Sequence, residues 1–176
     1  MKPSAGIHKT GRNDLTIQVI PTKEYFNIIK KELKENGQAF VRVTGRSMEP
    51  LLKHMRDRVK IIPPEKIRWG DIVLFERNNG RYALHRVISK GSKGFSMAGD
   101  NQWYFETNLP YNQVIGVVTD IDRNGKLISV KHIFIRMYKV LVTAIVFPRI
   151  YIWKAIQKLL RIIRHSGNQG QEGATE

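Results

Sequence analysis

The sequence predicts a mainly β fold: a small, curled, antiparallel, barrel-like domain with a short N-terminal helix and basic C-terminal helices. Three observations carry that expectation. Short apolar runs rich in Val, Ile and Phe recur through the middle of the chain. Turn signals separate them, namely Pro63-Pro64, Asn78-Asn79-Gly80, Gly91 and Asn124-Gly125. After residue 131 the apolar period changes from that of a strand to that of a helix.

Residues 1–16 are expected to be flexible and 17–130 to form the main domain. Within it, Glu24 to Glu35 reads as one helix with Tyr25, Ile28, Ile29 and Leu33 on its apolar stripe, stopped by Asn36-Gly37. Strands are expected at 39–44, 57–62, 71–76, 81–89, 94–98, 114–121 and 126–130. Asn79-Gly80 and Asn124-Gly125 suit hairpins, because both residue types accept the positive φ of tight turns. Strands at this spacing mean antiparallel pairing rather than βαβ units. Residues 131–165 are expected to be a basic amphipathic helical segment. Trp153, Ile156, Leu160 and Ile163 share one face, Lys154, Lys158, Arg161 and His165 the other, and Pro148 should kink or end the first helix. The polar, Gly-rich stretch 166–176 reads as a disordered tail.

The chain of 176 residues has 30 Lys and Arg against 15 Asp and Glu, a formal charge of +15. That excess favours anionic partners. Its distribution points to an anionic membrane surface reached through residues 133–164, because Lys131 to His165 hold eight Lys or Arg and no carboxylate. The best apolar window, 133–153, contains Arg136, Lys139 and Arg149. It makes a poor span and a better interfacial segment. A soluble helix pair packed on the β domain accounts for the pattern equally well. No export signal is visible in the first residues, so a peripheral position at the cytoplasmic face is expected. With no cysteine there is no disulfide, thiol nucleophile or thiolate metal site. The five histidines show no metal-ligand spacing, and no cofactor motif is present, so neither metal nor cofactor is expected.

Three short strings bear chemistry. Ser47 lies in Gly45-Arg46-Ser47-Met48-Glu49-Pro50, where a strand leaves the sheet and Gly45 permits a tight bend. His85 lies in Tyr82-Ala83-Leu84-His85-Arg86-Val87-Ile88, sharing a face with Ala83 and Val87. Asp100 lies in Gly99-Asp100-Asn101. A serine hydroxyl is a poor nucleophile until a base takes its proton, and a neutral imidazole does so near pH 7. Asp100 is placed either to orient that imidazole or to cap its own turn. In the first case Asp100→Asn lowers turnover and leaves stability nearly unchanged. His54 is a weaker base candidate, and Asp57 and Asp71 read as structural.

Gly-Arg-Ser-Met-Glu-Pro, Arg-Trp-Gly-Asp-Ile-Val-Leu-Phe at 68–75, Leu-His-Arg-Val-Ile at 84–88 and Gly-Asp-Asn at 99–101 occur in one order. Over residues 38–130 that order resembles the signal peptidase I and LexA-like serine peptidases of the S24/S26 type, closest to the branch with a Ser-His pair. The resemblance implies a complex, mostly β peptidase fold, Ser47 as nucleophile, His85 as general base and Asp100 as its helper. It implies cleavage of a signal, leader or precursor peptide through an acyl-enzyme. Arg56-Asp57 departs from the family's Gly-Asp before the second strand, and Gly45 stands where some members carry a serine that helps the oxyanion. The family's N-terminal anchor and the repressors' DNA-binding domain have no counterpart in residues 1–38. Two other classes fit the same residues: a non-catalytic peptide-binding or membrane-associated scaffold of this fold, and a nucleic-acid binder drawn by charge. The second lacks any recognised binding motif, so specific DNA binding is not expected.

Overall fold

The computed structural model describes residues 22–92 and 94–169. The expectations for residues 1–21, for the side chains of Lys154, Ile163 and His165, and for 170–176 lie outside the described residues. The elements run α1 (Thr22–Asn36), β1 (Ala39–Arg42), β2 (Asp57–Ile62), β3 (Ile72–Glu76), β4 (Tyr82–Gly91), β5 (Gly94–Ala98), β6 (Glu106–Leu109), β7 (Val114–Arg123), β8 (Lys126–Ser129) and α2 (Ile133–Gln169).

One antiparallel sheet takes the order β1-β2-β7-β3-β4-β5-β6, with β8 added to β7. The fold class is the expected one, and the sheet is curled without closing. Register shifts at Lys60/Ile61, Leu74/Phe75, Val87/Ser89 and Phe95/Met97 supply the bending, since an extra residue in one strand increases local twist. Both hairpins form, though in the first only Gly80 and not Asn79 takes positive φ. Arg77 and Arg81 close the β3–β4 turn around Gly80, at φ +72°, and Asn124 and Gly125 both take positive φ between β7 and β8.

The curl creates two apolar cores. Ile29 and Leu33 of α1 pack with Val41, Val59, Ile61, Leu74 and Ile121 in the first. Val73, Phe75, Val87, Phe95 and Met97 form the second. Strand β3 is therefore covered on both faces: Ile72 and Leu74 belong to one core, Val73 and Phe75 to the other. Burying such side chains contributes roughly 1.5–3 kcal/mol each. In α1, Tyr25, Ile29 and Leu33 follow the expected stripe, but Ile28 lies off it and is 52% exposed, while Phe26 packs inward and stacks on Tyr82.

Three other expectations change. Strand β6 was not anticipated, because Glu106-Thr107-Asn108-Leu109 has one buried position and no alternation. Helix α2 continues through Pro148, which costs one backbone hydrogen bond but does not end the helix. Helix α2 also runs on to Gln169, into the 166–176 stretch expected to be a tail; within it Trp153 lies 6.1 Å from Trp103, while Ile156 and Leu160 stay exposed. The first half of α2 docks through Ile135, Tyr138 and buried Val142.

Candidate active site

Ser47 heads the turn that follows β1. Gly45 just before it takes φ +92°, a conformation side chains disfavour, and its N–H donates to His54 Nδ1 at 2.9 Å. The chain then tightens, with Glu49 N–H donating to Arg46 C=O at 3.2 Å and Leu52 N–H to Met48 C=O at 3.0 Å. Buried Met48 pins the turn to the first core and leaves Ser47 half-buried beside it. His54 thus supports the turn, a role that leaves its Nδ1 occupied as an acceptor.

His85 is buried in β4 opposite Val73 of β3, its ring 5.6 Å from that of Phe75. Ser47 and His85 line one cavity of about 290 Å³. Its walls are the run Val41–Met48 on one side and Tyr82–His85 on the other, with Gln102 and Tyr104 at the margin. A larger cavity of about 600 Å³ lies beside α1 and holds neither residue; its Lys30 is already paired with Glu76 at 2.7 Å.

The carboxylate beside His85 is Glu106. Its Oε1 lies 2.9 Å from His85 Nδ1, a close approach in which the ring N–H is not aligned as a hydrogen bond. Arg77 grips the same carboxylate twice, at 2.6 and 2.5 Å. Burial works against the charge on Glu106, yet Arg77 and His85 draw its carboxyl down to about 2. With Nδ1 facing Glu106, Nε2 is the imidazole nitrogen left for another partner.

Asp100 has a different partner from the one the sequence offered it. Both of its oxygens are held by Arg86, at 2.7 Å each, and Arg86 Nη1 donates to Gly70 C=O at 2.8 Å. The pair is buried on both sides. Neighbouring side chains alternate across a strand, so Arg86 points away from the face that carries His85, and Asp100 goes with it. The Gly99-Asp100-Asn101 string still touches the serine turn. Asn101 N–H donates to Ser47 C=O at 2.8 Å, and a Cβ on Gly99 would lie 2.5 Å from that same oxygen.

Asp57 and Asp71 have structural partners, as the sequence indicated. Asp57 is fully buried and accepts from Arg56, from Lys53 N–H and from Arg123. Burial opposes its charge, but these donors bring its carboxyl down to about 2. Asp71 accepts from Arg68 N–H at 2.8 Å. Among the described residues, no group of His, Asp and Glu is placed to hold a metal ion.

The Peptidase S24-like family model matches residues 3–119. That match spans more than half of the chain and both strands of the cavity wall. The chain belongs to the Peptidase S24-like family. Membership supports a serine peptidase kind of activity for this S24-like protein. No curated protein matches the chain.

An acid-stability prediction follows from Asp57 and Glu106. Their carboxyls ionise more readily in the folded chain, near 2, than at the ordinary values of 3.8 and 4.5. Their stabilisation is therefore complete above about pH 5 and is lost as pH falls toward 2. Each contributes on the order of 2 kcal/mol. Denaturant melts from pH 7 down to pH 3 should show this loss, and Asp57→Asn should flatten the slope. An unchanged slope in that variant would count against the ion-pair account.

Proposed function

We propose that this S24-like protein hydrolyses peptide bonds by a Ser47–His85 dyad through an acyl-enzyme. What carries the reading is a single arrangement. The two side chains border one cavity, and the Glu106 carboxylate stands 2.9 Å from the imidazole Nδ1. His85 Nε2 takes the Ser47 Oγ proton as Oγ adds to the scissile carbonyl, and backbone N–H groups of the serine turn receive the oxyanion. The imidazolium then protonates the departing amine. Water, deprotonated by the same histidine, releases the acyl product and restores the serine.

The cavity walls favour an extended substrate. Strand β1 pairs with β2 alone, and β4 meets β5 only from Arg86 onward. The segments Val41–Arg42 and Tyr82–His85 therefore each keep one strand edge without a strand neighbour among the described residues. A peptide entering between them can add as a strand, with main-chain hydrogen bonds holding it in register. A signal, leader or precursor peptide, extended near its cleavage point, meets that requirement.

The test is cleavage of a diverse synthetic peptide library by the purified chain, read by mass spectrometry beside Ser47→Ala. Cleavage at recurrent positions that disappears in the variant is expected. Equal cleavage by both proteins, or none by either while both bind peptides, would replace the peptidase reading with that of a binding scaffold.

Glu106 enters this mechanism as a positioning residue for His85. Glu106→Gln removes the charge that faces the imidazolium and should lower kcat about tenfold or more, with KM little changed. Arg77 then loses its partner as well, so the melting temperature should be recorded alongside. A variant with reduced stability and full kcat would limit Glu106 to packing.

A further inference from the structure

Helix α2 is docked on one side and open on the other. Tyr138 sits over the Arg86 guanidinium, 5.8 Å from Arg86 Cζ to the ring centroid. Lys139 approaches Asp71 at 3.5 Å and lies over Trp69. Arg149 donates to the carbonyls of Asp100 and Gln102 and lies over the Trp103 ring. At 100° per residue these docked positions share one side of the helix. The adjoining side, about 100° around the helix, holds Phe134, Met137, Leu141, Ile145, Ile152 and Leu159, each between 53% and 71% exposed. This apolar stripe extends for roughly 37 Å, at 1.5 Å per residue. Single exposed apolar residues are ordinary on a protein surface, but a continuous stripe of this size marks an interaction face.

We infer that this stripe lies in the interface of an anionic lipid bilayer, with α2 parallel to the membrane plane. Charge selects the occupant. Helix α2 contains seven Lys or Arg and no Asp or Glu. A second copy of the same helix would bring like charges together with no carboxylate on either helix to pair them. Anionic headgroups supply the missing charge while acyl chains cover the apolar side chains. Lys158 lies beyond the far edge of the stripe and Arg136 and Arg161 farther around the same exposed helix, from which long basic side chains can reach headgroup phosphates. Among the described residues no helix is long and apolar enough to cross a membrane, so the attachment is interfacial.

The experiment is flotation of the full chain with phosphatidylcholine vesicles, with and without phosphatidylserine. The variant carries Met137→Gln, Leu141→Gln and Ile152→Gln, three positions about 60% exposed. The native chain should float with phosphatidylserine vesicles, less so as salt rises. The variant should bind at least tenfold more weakly with an unchanged melting temperature. Failure of the native chain to float at low salt would overturn the inference, as would equal flotation of the variant. A native dimer that the variant dissolves would assign the stripe to a second copy instead. The readout is lipid binding alone, so its outcome is separate from that of the peptide-cleavage test.

Discussion

Ser47→Ala and His85→Ala are each expected to lower kcat/KM by at least about 10³-fold, with the fold retained. The expectation rests on atoms that act as a unit. Without Oγ there is nothing to acylate, and without the imidazole the hydroxyl keeps its proton. The double variant should be no worse than either single one, because the second loss removes nothing that still works. Ser47 is only half-buried at the head of a turn, so alanine there leaves the core intact. His85 is buried against Phe75 and Glu106, so its variant loses some stability and must be assayed well below its melting temperature. The distance from Oγ to Nε2 in the working enzyme should be about 2.6–3.5 Å. Independent, multiplicative losses in the two variants would sink the dyad, as would full activity in either.

Asp100→Ala is expected to destabilise the protein by about 3–5 kcal/mol, because it strands the buried Arg86 guanidinium without its carboxylate. For a chain of this length that corresponds to a fall in melting temperature on the order of 10 °C. Tyr138 of α2 packs over the same guanidinium, so loosening should spread to the docked helix. Burial pushes the Tyr138 hydroxyl's pKa upward, with the Asp100 charge adding to the rise. Activity per folded molecule should largely survive, since the carboxylate beside His85 is Glu106. Thermal melts together with activity normalised to folded protein decide the matter. A variant with an unchanged melting temperature and lost turnover would return Asp100 to the catalytic machinery. Arg86→Met combined with Asp100→Leu should recover part of the stability, because removing both charges also removes their desolvation cost.

Much of this molecule was legible locally. Apolar alternation and turn chemistry act between near neighbours, so β2, β5 and the hairpins at Gly80 and Asn124-Gly125 could be read from the chain. The alternation of Ala83, His85 and Val87 against Tyr82, Leu84 and Arg86 was also a local property. It predicts that His85 and Arg86 serve different faces. The serine turn was legible through Gly45 and buried Met48. Strand β6 was not, because Glu106-Thr107-Asn108-Leu109 is held by pairing with β5 rather than by its own pattern.

The sequence by itself determined the fold class, the turn that presents Ser47, the face that carries His85 and the absence of carboxylates from α2. Only the tertiary structure decided which acid meets which base. Glu106 comes beside His85 through the Met97–Glu106 pairing and the bulges in β4–β5 and β5–β6, while Asp100 follows Arg86 to the other side of the sheet. It also decided which side of α2 is covered. Helical period defines faces but not their partners, and those depend on Arg86, Asp71 and Trp103, which lie far away in sequence. Contacts between distant segments are set by strand register and helix docking, and neither is written in any local stretch of residues.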